Sequence, residues 1–171
     1  MVFVQIQIKP ANKRIMSIGV YTDEHFMKLA LAEAQKALEK DEVPVGAIVV
    51  CKNQVIARAH NLTETLTDVT AHAEMQAITS ASEYLGGKYL KDCVMYITLE
   101  PCVMCAGALK WSQIGKIIYG AADKKQGSNA IQQQLLAPGI FHPKTTLVGG
   151  LCEEECSSIL TQFFEKKRKQ G

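Results

Sequence analysis

The chain has 171 residues, 47% of them hydrophobic and 21% charged, with a net charge of +2. That length supports one domain whose core needs no staples, and that balance excludes both a disordered chain and a strongly basic nucleic-acid coat. No run approaches the ~18 apolar residues of a membrane span. The opening MVFVQIQIKP lacks the charged start and long apolar stretch of a secretory signal. A cytoplasmic protein is expected, with its six cysteines as reduced thiols or metal ligands.

Residues 1–21 show no helical period and read as an N-terminal extension, which leaves 22–171 as a single domain. Thr22 or Asp23 can cap a helix running to about Lys40, with Met27, Leu31, Ala34 and Leu38 along one stripe. VPVGAIVVC (43–51) is a continuous apolar run, the pattern of a strand covered on both faces. A polar Lys52-Asn53-Gln54 turn folds it back onto VIARAHN (55–61) as a hairpin. A second helix is expected from about Ala71 to Leu85, with Met75, Ile78, Ser82 and Leu85 at helical spacing. CVMYITL (93–99) is another buried strand. Pro101 then opens a helix to Trp111, since its missing N–H would be unpaired at the first helical position anyway. KIIYGA (116–121) is a strand, and TTLVGG (145–150) is a last strand or a connection. Cys152, Cys156, Ile159, Leu160, Phe163 and Phe164 form a final helical apolar face. Strands alternating with helices predict an α/β sandwich with helices on both sides of one sheet.

Cys102 and Cys105, in LEPCVMCAGALKW (99–111), are the first chemical signal. Two cysteines at this spacing suit half of a structural zinc site, a redox pair or part of a catalytic metal site. TAHAEMQ (70–76) begins one predicted helix as PCVMCAG begins another, so His72 can complete a set of two thiolates and one imidazole. Three protein ligands leave a tetrahedral zinc with one position open to water. Glu74 lies about 200° further round a helix than His72. Helical side chains lean toward the N-terminus, so a metal off the helix end is reachable from more than one side. Glu74 can thus stand beside the water as a proton shuttle without being a ligand. Zinc brings the pKa of water from ~16 to ~7, and two helix N-termini help keep the cysteines ionised. Replacement of a ring amine by oxygen fits this equipment.

TAHAE, TLEPCVMCAGA and the upstream VPVGA resemble the zinc-dependent nucleobase deaminases, closely so the bacterial tRNA adenosine deaminases, over about residues 23–168. The resemblance implies a three-layer α/β/α sandwich with a five-stranded mixed sheet, and a homodimer. It also implies conversion of adenosine to inosine at the tRNA wobble position, within an anticodon stem-loop, most plainly that of an arginine tRNA with an ACG anticodon. His72, Cys102 and Cys105 match the zinc ligands and Glu74 the proton carrier. Asn61 matches an asparagine that hydrogen-bonds the flipped purine, and an amide can read both donor and acceptor edges. Pro44 and Val45 match an apolar wall of the base pocket. Asp123 and Lys125 match polar residues on the anticodon-loop backbone. Phe163, Phe164, Lys167 and Arg168 match an aromatic–basic C-terminal helix that contacts neighbouring nucleotides. Val69, Ala122 and Glu165 depart from the pattern, standing where proline, arginine and a basic residue are usual. The two lost basic side chains weaken phosphate contacts.

Plainer readings compete for several of these residues. Asn61 can satisfy turn backbone, Asp123 and Lys125 can be solvated loop charges, and at least one of Phe163 and Phe164 belongs in the core. The Lys-rich tail also complements a helix C-terminus. Cys51, Cys93, Cys152 and Cys156 read as buried thiols. Three functions stay open: a tRNA wobble deaminase, a deaminase of a free base or nucleotide of guanine or cytosine type, and a non-catalytic module with structural zinc. The last requires a fourth protein ligand from Cys152, Cys156, His142 or His60.

Overall fold

The computed structural model describes residues 21–123, 127 and 139–170. All of the N-terminal extension except Tyr21 lies outside the described residues, as does Lys125. Helix α1 (Asp23–Glu39) starts where Thr22 accepts the His25 N–H at 3.2 Å, so Thr22 and not Asp23 is its cap. The helix buries Phe26, Met27, Ala30, Ala34 and Ala37, while Leu31 and Leu38 flank the contact. The expected stripe is therefore rotated toward the alanines.

Strand β1 (Gly46–Cys51) begins three residues later than the apolar run suggests, because residues 43–45 form the loop that leads to the site. It returns as β2 (Gln54–His60) through Lys52 and Asn53, both at positive φ (48° and 62°). Two left-handed residues at a two-residue turn match the right-handed twist of the hairpin. Then follow α2 (Ala73–Leu85), β3 (Cys93–Leu99), α3 (Val103–Trp111), β4 (Lys116–Ala121), β5 (Thr146–Val148) and α4 (Glu153–Gln170). The segment 145–150 thus contains a strand. The sheet order is β2-β1-β3-β4-β5, with β1 antiparallel to β2 and β3, and β3, β4 and β5 parallel. This is the expected mixed sheet.

Helices α1 and α4 pack together on one face, and α2 and α3 on the other. Buried on both sides, β1, β3 and β4 contribute Ile48, Val49, Met95, Ile97, Ile117 and Ile118, each worth ~1.5–3 kcal/mol when fully buried. The helices come close because small residues meet the sheet. Ala73, Ala77 and Ala81 of α2 are fully buried, whereas Leu85, expected on that face, is 42% exposed. A Cβ on Gly46 would collide with the Ala30 carbonyl of α1. Cys51 and Cys93 face each other across the β1–β3 ladder as free thiols, Cys93 buried and Cys51 half-buried. Cys156, Leu160 and Phe163 are the buried face of α4, with Cys152 half-buried and Phe164 46% exposed. Among the described residues no helix is long and apolar enough to cross a membrane.

Candidate active site

Both metal-binding motifs start helices, two positions further out than expected. His72 is the N-cap of α2 and Cys102 the N-cap of α3, so the helices begin at Ala73 and Val103 instead of Ala71 and Pro101. Neither side chain makes a capping hydrogen bond. N-caps favour Ser, Thr, Asp or Asn, and a His and a Cys in those places spend their side chains elsewhere. His72 lies outside the helical twist, which removes the angular objection to Glu74, a second-position residue inside it.

The His72 Nδ1 stands 3.8 Å from the Cys102 Sγ and 3.5 Å from the Cys105 Sγ. A tetrahedral zinc, with bonds of ~2.3 Å to sulfur and ~2.05 Å to nitrogen, holds those atoms about 3.6 Å apart. The three residues therefore fit zinc in both chemistry and spacing. The sulfurs are close enough to compete for one proton. The Cys105 thiol donates to Cys102, holding Cys102 well below the ordinary thiol range at about 4, while the same contact and burial raise Cys105. A dication takes both as thiolates and ends that competition. Among the described residues, this is the only group of three or more ligating side chains, and Cys152, Cys156, His142 and His60 stand outside it. The purely structural reading lacks its fourth ligand.

A cavity of about 200 Å³ opens beside this trio. Glu74, 4% exposed, lines it, and burial pushes its carboxyl up to about 7 despite the opposing influence of His72. Val43, Val45, Asn61, Thr63, Leu99, Glu100 and Asp123 complete the walls. Pro44 is buried but does not line the cavity; Val43 takes the place expected for it. The Asp123 N–H donates to the Glu100 carboxylate at 3.1 Å, which ties the loop after β4 to the site. Gln76 fixes the other side, its amide donating to the carbonyls of His60 at 2.8 Å and Ala71 at 3.0 Å. Glu100, Thr63 and Gln76 are not legible as site residues in the sequence. Only the adjacency of Glu100 to Pro101 and Cys102 points toward it.

The C-terminal residues stand apart from the cavity. Lys167 pairs with Asp41 at 2.6 Å and lies over the Phe163 ring at 5.5 Å, while Phe164 and Arg168 are exposed. Val69 is 83% exposed, and Ala122 and Glu165 are exposed as well.

The profile described as the cytidine and deoxycytidylate deaminase zinc-binding region matches residues 20–121, which include all three ligands and Glu74. The chain belongs to this deaminase family. Within the family it is 46% identical over 148 residues to a tRNA-specific adenosine deaminase of Bacillus subtilis, covering 86% of this chain and 92% of that one. A solved deaminase from work on A-to-I editing by tRNA:A34 deaminases superposes with a TM-score of 0.74. It is 45% identical and covers 80% of this chain and 99% of that one. A guanine deaminase of Bacillus subtilis is more distant, with a TM-score of 0.61, 31% identity, and coverage of 72% of this chain and 82% of that one. This chain carries its candidate metal ligands at the starts of two helices on one face of the five-stranded sheet.

Proposed function

We propose that this protein hydrolyses adenosine to inosine at the wobble position of tRNA. The observation that carries the reading is the three-ligand zinc site with the buried Glu74 carboxyl beside it, opening into a cavity that Asn61 also lines. High identity to tRNA-specific adenosine deaminases supports the choice of substrate within the family.

His72, Cys102 and Cys105 would hold the zinc. When bound, zinc supplies a Lewis acid that brings the pKa of water toward ~7. Glu74 accepts a proton as oxygen bonds to C6 of the purine, then delivers it to the departing amine as the C6–N bond breaks. Water is consumed and ammonia leaves. Val43 and Val45 give the ring an apolar wall, and Asn61 supplies the polar contact. Asp123 and the basic residues Lys125, Lys167 and Arg168, with Phe164, serve the flanking nucleotides. A loop nucleotide is already partly unstacked, so presenting it costs less than the few kcal/mol of flipping a paired base.

An anticodon stem-loop carrying the arginine ACG anticodon, with adenosine at its first position, tests this directly. Inosine is expected by base analysis, with free adenosine far slower because it lacks the loop contacts that orient the base. Rapid ammonia release from guanine or cytosine with an untouched stem-loop would replace the tRNA substrate by a free base.

The working form is a homodimer in the cytoplasm. Supporting this, α3 leaves Val103 52% and Trp111 81% exposed, apolar area of a kind that partners cover. All six cysteines are free. Sedimentation should give twice the chain mass, and Trp111→Glu should shift it toward the monomer. A monomeric parent would end the dimer proposal.

A further inference from the structure

Glu42 is fully buried, is no metal ligand and does not line the cavity, yet it gathers four donors. The Thr65 N–H reaches its Oε1 at 2.7 Å. Its Oε2 accepts from the Glu64 N–H at 3.2 Å, the Thr63 hydroxyl at 3.3 Å and the Asn61 Nδ2 at 3.1 Å. Burial would raise this carboxyl, but the N–H groups of Thr65 and Glu64 and the Thr63 hydroxyl hold it below the ordinary range, so it is a carboxylate.

An ionised carboxylate only accepts, so it decides which way the Asn61 amide turns. The same Nδ2 donates to Thr63 Oγ1 at 3.1 Å, and both amide hydrogens are spent. The Oδ1 takes no hydrogen bond from the described residues, although Asn61 is only 5% exposed and lines the cavity. A buried acceptor left in this way beside a cavity is open to a donor from a ligand.

We propose that Glu42 is a positioning residue that turns Asn61 to present a carbonyl acceptor, and not its N–H, to a donor of the bound substrate. The inference rests on the adenosine reading, where the donor is either the exocyclic amine or the ribose 2′-hydroxyl. It narrows the two-edged reading of an asparagine to one edge.

The test is a double-variant cycle on the stem-loop, with zinc content and melting temperature recorded for each protein. Glu42→Gln has to turn an N–H either on the Thr65 N–H or on the Glu64 and Asn61 N–H groups, which loosens the hold on Asn61, and Asn61→Asp sets two carboxylates against each other. Each should lower kcat/KM about ten- to a hundredfold, the scale of one good base contact. When the two are combined, the introduced glutamine amide can donate to one oxygen of the introduced aspartate while the other oxygen still faces the substrate. Most of the loss should then return. A double variant as weak as the product of the two single losses, or Glu42→Gln at parental activity, would overturn the role. Loss of loop structure alone would not be repaired by a second substitution. Asn61→Ala keeps the other three donors on Glu42 and reads the contact alone. If its penalty vanishes with 2′-deoxyadenosine at the target position, the hydroxyl is the donor; if it persists, the amine is. Parental turnover of the stem-loop is measured first. Its absence rejects the substrate reading, and the cycle is then read on the base that is turned over.

Discussion

Glu74→Gln is expected to stop turnover and leave the zinc content unchanged. The amide keeps the size and nearly all the packing of the carboxyl but cannot take a proton from one atom and give it to another. A positioned acid–base group contributes ~10²–10⁴-fold, and here a single group serves both transfers, so the loss should lie at the upper end of that range or beyond. Glu74 stands outside the ligand trio, which is why metal should stay. Single-turnover inosine formation and elemental analysis on the same preparation check both halves. Zinc lost together with activity would make Glu74 a ligand and dismantle the proton-carrier role.

Cys102→Ser should lose metal and activity together. A hydroxyl is a poor partner for a borderline-soft dication compared with a thiolate, and the remaining pair, His72 and Cys105, is too few to hold zinc firmly. Stability supplies an independent readout. An ion that binds only the folded chain raises the melting temperature by an amount that grows with the logarithm of its affinity, so added zinc should lift the parent and barely move the variant. Full activity in a metal-free preparation of Cys102→Ser would defeat the zinc mechanism altogether.

The chemistry is legible in the sequence because it depends on residue types at fixed spacing near helix starts, and His72, Glu74, Cys102 and Cys105 come together as those spacings imply. Strand positions are legible for the same kind of reason: the runs at 93–99 and 116–121 are mostly apolar because both faces are covered. Helix faces are harder. Large residues dominate a periodicity, so Leu31 and Leu85 read as inward, whereas Ala30, Ala37, Ala77 and Ala81 make the contact. Alanine carries little hydropathic signal, and only tertiary packing reveals that the close approach selects it. Glu42 and Glu100 are invisible for a different reason. A buried carboxylate satisfied by backbone N–H groups of distant loops has no local pattern, since its partners are chosen by the fold.

The alanine contact has its own consequence for the reaction. His72 at the cap and Glu74 in the first turn ride on a helix that rests on the sheet through methyl groups, so its height above the strands is set almost by backbone alone. A longer side chain at Ala77 would lift the ligand and the proton carrier as one body, away from cysteines carried by a different helix. Since a misplacement of ~1 Å can cost ~10²-fold in rate, the thickness of one packing layer is itself a catalytic dimension of this enzyme.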